Sequence, residues 1–398
     1  MATIPDSRRR PTAPPIRLSL GDPFVRSVVY QVLVVGVVAL VIWYLVSNTM
    51  ANLEARKIAS GFGFLGREAG FAILQSLIDY APTNTYLHAL VVGVLNTLLV
   101  AIIGIILATI LGTLIGIGRL SRNWLIARLC SAYVEGLRNI PLAVQLFFWY
   151  AMITENLPAT RQALHPLPGV YLSQRGLVVP VPVYDPAHLW VIGALILGVI
   201  ASIAVGRWAR RRQAATGQPF PTLWVSLALI IGLPLIGFVA AGAPLELDRP
   251  ELRGFNFRGG VTLIPEFVAL LLGLVIYTAS YIAEIVRSGI LAVSHGQTEA
   301  ALALGLRRSL ALRLVILPQA LRVIVPPLIS QYLNLTKNSS LAILVGYPDI
   351  VSVANTTLNQ TGQAIEGIGM IMAVFLTISL TISGVLNWYN KKIALVER

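Results

Sequence analysis

Eight stretches of this chain are apolar over about the 20 residues that a helix needs to cross a bilayer. They fall at 26–47, 90–118, 140–156, 188–206, 222–242, 264–287, 316–336 and 366–389. In hydrocarbon every backbone N–H and C=O must find a partner within the protein, which leaves only helices and closed barrels. A barrel would show alternating segments of about 10 residues, and none is present. The expected fold is an all-α polytopic membrane protein of about eight transmembrane helices. Composition agrees, with 12% charged residues against about 25% in soluble domains, and a mean hydropathy of +0.77.

The net charge of +13 reads as topology rather than nucleic-acid binding, because basic residues beside membrane spans set orientation. With a cytoplasmic N-terminus, the inward segments hold 19 of the 30 Lys and Arg and the outward ones nine. That bias puts both termini in the cytoplasm. The polar segment at 1–20, with Arg8, Arg9 and Arg10, is followed by no small-residue cleavage site, so the first span is expected to be retained. The cluster of Arg207, Arg210, Arg211 and Arg212 is a topology anchor, with a lipid-headgroup site as the alternative. Cys130 is the single cysteine, and the four histidines lie far apart, so no metal site is expected. Gly112 and Gly116 allow close approach of a second helix, whether inside this bundle or in another subunit.

The most organised polar stretch lies at 294–318. Ser294-x-x-Gln297 fits a capping box, and Glu299 favours the dipole of the helix it begins. Ala300, Ala301, Leu302, Ala303 and Leu304 are strong helix formers. Gly305 stands where a left-handed residue would stop the helix, and Pro318 suits the first turn of the next span. The product is a helix of two to three turns with a small-residue surface, able to seat in a groove of another protein. An amphipathic connector resting on headgroups is the plainer reading.

This stretch resembles the EAA motif of bacterial ABC importer permeases. Glu299, Ala300, Ala301, Gly305, Leu317 and Pro318 match, while Val315 replaces the isoleucine of the pattern. The resemblance implies that the loop, with Gln297, is the coupling helix that docks on an ATP-binding subunit. Gly93–Leu98, Arg119–Ser121, Tyr133–Leu142, Tyr277–Ile290 and Tyr332–Leu341 are similar to the polar amino-acid branch of that family, whose larger members serve general L-amino-acid and glutamate/glutamine/aspartate/asparagine import.

The resemblance implies a five-helix core plus three extra helices. It divides the chain into a cytoplasmic tail (1–25), an extra span with a periplasmic segment (26–89), the first part of the core (90–156), an insertion with two spans (157–262), the second part of the core (263–390, with its coupling loop at 288–317) and a cytoplasmic tail (391–398). It implies an ABC ATPase dimer, a second permease subunit and a periplasmic amino-acid-binding protein as partners, beside the lipid bilayer. ATP and Mg would belong to the ATPase, since this chain has no Gly-x-x-x-x-Gly-Lys-[Ser/Thr] and no cofactor is expected in it. No hydrolytic motif suggests an enzyme. A self-sufficient secondary carrier or channel is the competing reading.

Polar groups inside apolar spans are costly and face a cavity or a partner helix. The candidates for a translocation path are Asn96, Thr97, Gln145, Tyr277, Thr278, Tyr281, Glu284, Gln331, Asn334 and Lys337. Lys337 offers a cation for a substrate carboxylate, or snorkels to the surface. Glu284 offers an acceptor for an ammonium, or pairs with Arg287 one turn on. Asn96 and Thr97 line the path or tie neighbouring helices together. Pro326 and Pro327 interrupt span 7 and free carbonyls there.

Overall fold

A computed structural model describes residues 23–55, 60–186, 188–218, 220–243 and 246–393, with side chains through 388. The Arg8–Arg10 cluster and the end of the C-terminal tail lie outside the described residues.

Thirteen α-helices follow in order among these residues. They are α1 (Pro23–Ala55), α2 (Tyr86–Gly118), α3 (Trp124–Asn139), α4 (Leu142–Asn156), α5 (His188–Thr216), α6 (Thr222–Leu227) and α7 (Leu233–Ala240), then α8 (Pro265–Leu291), α9 (His295–Ala303), α10 (Arg308–Ala311), α11 (Leu317–Asn338), α12 (Ile350–Thr361) and α13 (Ala364–Ile393). Seven helical runs are long and apolar enough to cross a membrane. The predicted third span is shorter than the rest. Pro141 disfavours a helical Ile140, whose backbone is extended (φ −97°, ψ 123°). The 140–156 run is therefore a helix of 15 residues, about 22 Å long.

The core is organised around α8. Gly112 and Gly116 of α2 meet α8 so closely that a Cβ on either would stand 2.7 Å from the neighbouring helix, against Ile282 and the Ala283 carbonyl respectively. Gly273 of α8 receives Leu146 of α4, and Gly289 receives Ile324 of α11. The glycine spacing on α2 thus serves packing within this chain. By contrast, α1 buries no residue, and α5 packs mainly with α6 and α7 as an inserted hairpin.

The inserted segments 157–187 and 243–263 add a feature that the apolar pattern does not reveal. They fold into short antiparallel strands: β1 (Leu164–Leu167), β2 (Val170–Ser173), β3 (Gly176–Val179), β4 (Val181–Pro182), β5 (Leu247–Asp248), β6 (Glu251–Arg253), β7 (Asn256–Arg258) and β8 (Val261–Leu263). The main sheet has the order β1-β2-β3-β8, with β4–β5 and β6–β7 as separate pairs. Strand β8 leads through Ile264 straight into α8. The segment before α2 is also ordered: Phe64 and Ala69 bury against Tyr86 and Leu90 of α2 and Val353 of α12.

Asp349 caps α12, its Oδ1 accepting the Ser352 N–H at 2.8 Å. The residue is fully buried, and its Oδ2 has no hydrogen-bond partner. Burial pushes its pKa up to about 7. The folded state therefore holds this proton more tightly than the unfolded chain does. The resulting stability is full below the unfolded value near 3.8 and is lost as pH rises through about 7.

Thermal unfolding of the purified protein in detergent should show a midpoint that falls between roughly pH 4 and pH 7 and levels off above that. Asp349→Asn keeps a cap oxygen, supplies N–H donors and should flatten that fall. Gly112→Leu would drive a side chain into Ile282, so membranes should hold sharply less folded protein, read as detergent-extractable monodisperse material.

Candidate functional site

Two features stand out on the core: a polar cavity between α8 and α11, and the exposed loop that joins them.

The cavity measures about 240 Å³ and is lined by Tyr277, Thr278, Tyr281, Gln331, Asn334 and Asn338. Five of these six are predicted path residues. Positions 277, 278 and 281 share one face of α8, at i, i+1 and i+4. Gln331, Asn334 and Asn338 line one side of α11 at i, i+3 and i+7. The Tyr277 and Tyr281 hydroxyls lie 3.1 Å apart, and the guanidinium of Arg138 lies 4.9 Å over the Tyr281 ring. Hydroxyls, amides and a nearby cation make a site suited to a small, polar, carboxylate-bearing solute. Arg138 and Asn338 are absent from the sequence-derived candidates. Arg138 belongs to another helix, and only the fold brings it here.

The other predicted path residues lie elsewhere and are engaged in the frame. Asn96 Nδ2 donates to the carbonyls of Gln75 (2.8 Å) and Pro348 (2.9 Å). Thr97 Oγ1 donates to Gly93 O and accepts the Ile350 N–H at 3.0 Å. Gln145 Nε2 donates to Leu137 O and Ile140 O, bridging the break between α3 and α4. Lys337 stands exposed in the last turn of α11. Glu284 accepts from Arg119, the residue that follows α2, and, at 2.7 Å, from Arg287. The pairing with Arg287 is thus joined by a second arginine that closes the ends of α2 and α8 together.

The loop forms as a helix with a firm stop. Gly305 has φ +78°, the Leu306 N–H reaches Ala301 O and the Gly305 N–H reaches Leu302 O. These two bonds define a Schellman ending. Its start differs from expectation. Ser294 makes no side-chain cap bond, and the Gln297 N–H uses the Ser294 carbonyl instead. The Gln297 side chain is drawn away by Gln319 of α11, whose Nε2 donates to it at 3.1 Å, so the capping box does not form.

Glu299 pairs with His295 at 3.0 Å, Ala301 is buried, and Ala300, Leu302 and Leu304 are exposed. The following span also begins earlier than predicted, at Arg308. A π-helical turn at Leu312–Ile316 precedes Leu317 and Pro318, where it accommodates the missing proline N–H. Pro326 and Pro327 lie within α11.

A multi-spanning bundle with a polar cavity between two helices, and a capped soluble helix between the same two, defines a membrane transport component. The family described as "Binding-protein-dependent transport system inner membrane component" matches residues 104–393, and this chain belongs to it. The chain is 53% identical over 382 residues to the General L-amino acid transport system permease protein AapQ of Rhizobium johnstonii, covering 96% of each. It is 51% identical to the putative amino-acid ABC transporter permease protein YhdX of Escherichia coli K12, over 96% of this chain and 97% of that one. It is 42% identical to the glutamate/glutamine/aspartate/asparagine transport system permease protein BztB of Rhodobacter capsulatus, with the same two coverages. The family is one of transport components that depend on a binding protein, which speaks against a self-sufficient carrier.

Glu284→Gln should lower stability by about 2 kcal/mol, because two guanidiniums lose their shared anion. Thermal unfolding checks the size, and Arg119→Gln in the same background should add little further loss.

Proposed function

We propose that this chain is the permease subunit of an ATP-driven importer of polar L-amino acids. It supplies part of the path and draws its energy from a separate ATPase chain. The reading is carried by α9. A short helix held between α8 and α11 presents exposed Ala300, Leu302 and Leu304, a surface fitted to a protein groove. The Schellman stop ends it firmly, and the Gln297–Gln319 bond ties it to α11. Force applied to this loop therefore reaches both walls of the polar cavity.

The solute would rest between Tyr277, Thr278, Tyr281, Gln331 and Asn334, with Arg138 available to its carboxylate. Closure of an ATPase dimer favours one arrangement of α8 and α11 over the other, and that differential moves the equilibrium. One chain offers one docking helix, so a second permease subunit completes the assembly. Both termini and α9 lie on the cytoplasmic side, as the distribution of Lys and Arg suggests, and Mg-ATP is held by the partner. The names of the three relatives support amino acids as cargo.

The test is to purify the full chain from its native membrane, identify the co-purifying chains, and measure amino-acid-stimulated ATPase in proteoliposomes. An associated ATPase whose rate rises with amino acid and binding protein supports the proposal; a preparation with no ATPase chain overturns it.

Gly305→Val probes coupling alone. A Cβ at Gly305 meets open space, so the substitution acts through backbone conformation, at about 1–2 kcal/mol or more for a branched residue. The complex should still assemble in the membrane, with ATP hydrolysis continuing while uptake falls at least about tenfold.

A further inference from the structure

The small β unit between α4 and α8 has a surface that the transport path does not use. Its anchor is firm. Leu263 and Ile264 pack on the same core cluster as Leu146 and Leu270, and Gly176 of β3 lies directly against Leu263. The unit therefore moves with the first turn of α8. That helix has 27 residues and is about 40 Å long, so the unit and α9 stand at opposite ends of the core.

The hairpin β6–β7 turns at Gly254 and Phe255. Gly254 has φ +68°, as a two-residue hairpin with glycine first requires. The turn lifts the Phe255 ring away from the sheet, with 71% of its surface exposed. The guanidinium of Arg161 lies 4.0 Å over that ring, and the stack of Tyr171 on Phe257 at 4.4 Å holds the hairpin to the sheet. Beside the hairpin is an open cavity of about 550 Å³ lined by Glu246, Asp248, Arg249, Glu251, Arg253 and Arg258, among others. Arg253 is paired with Glu251 at 3.2 Å, and Asp248 accepts the Gly260 N–H. Among the described residues, Arg249 and Arg258 have no ion-pair partner.

We propose that this hairpin and cavity are the docking surface for the soluble binding protein of the importer. That protein would present a pair of carboxylates to Arg249 and Arg258 and an apolar hollow to Phe255. The proposal rests on the transport reading above. Exposed aromatic and arginine side chains held rigid in one patch have the make-up of interface anchors. A free amino acid would gain little from guanidiniums so open to water. An anionic lipid surface is uniform, whereas Glu246 and Asp248, in the same cavity lining as the arginines, would repel it. Charges of both signs in a fixed pattern select a patterned protein surface.

The experiment uses the complete importer in nanodiscs of neutral lipid, with its binding protein loaded with amino acid. Compared with the unaltered complex, Phe255→Ala and the pair Arg249→Glu with Arg258→Glu should each raise the binding-protein concentration for half-maximal ATPase stimulation by about tenfold or more. Basal ATPase and the thermal midpoint should stay unchanged. Added salt should weaken stimulation of the unaltered complex more than that of the arginine variant.

An unchanged half-maximal concentration in both variants overturns the proposal. Two other results also overturn it: loss of L-glutamate binding with stimulation intact, which assigns the cavity to a small ligand, or an effect seen only when anionic lipid is added, which assigns it to the membrane. None of these results touches the transport reading, which fails instead if no ATPase chain co-purifies.

Discussion

The structure depends on backbone-close packing of α8. Lipid chains are as apolar as leucine, so water does not drive helices together inside a bilayer, and tight van der Waals contact takes over that role. Missing side chains at Gly112, Gly116, Gly273 and Gly289 let α2, α4 and α11 press onto a single helix. Each functional feature then takes its position from α8. Its first turn carries the β unit, its middle carries Tyr277 and Tyr281, and its last turns carry Glu284 and lead into α9.

Polar side chains within the apolar segments divide into two uses. Asn96, Thr97 and Gln145 satisfy backbone groups at helix breaks and loop junctions, where an unpaired carbonyl or N–H would be costly. Glu284 is committed to two arginines. Five other predicted path residues gather between α8 and α11, where hydroxyls and amides face one another across a cavity.

Much of this was legible in the sequence because the signals are local. Apolar length located the spans, the glycine spacing on α2 announced close approach, and Gly305 marked the helix stop that the Schellman bonds realise. The spacing of Tyr277, Thr278 and Tyr281 already put them on one helix face. Features decided by distant partners were hidden. Gln319 diverts Gln297 from the capping box. Arg138 reaches the cavity from α3, and the strands in the insertion are too brief to show alternation. Asp349 reads as an ordinary polar loop residue until the burial around it is known.

The seats on α8 differ in number. Ile282 and Val286 occupy the notches at Gly112 and Gly116, one helical turn apart. Two teeth in two notches fix both the rotation and the height of α8 against α2, so that pair travels as one body or jumps a whole turn. Helix α11 is seated at two places on different helices, Ile324 in Gly289 of α8 and Leu335 against Gly104 of α2. The α8 wall of the cavity is therefore keyed twice to α2 and only once to the α11 wall it faces.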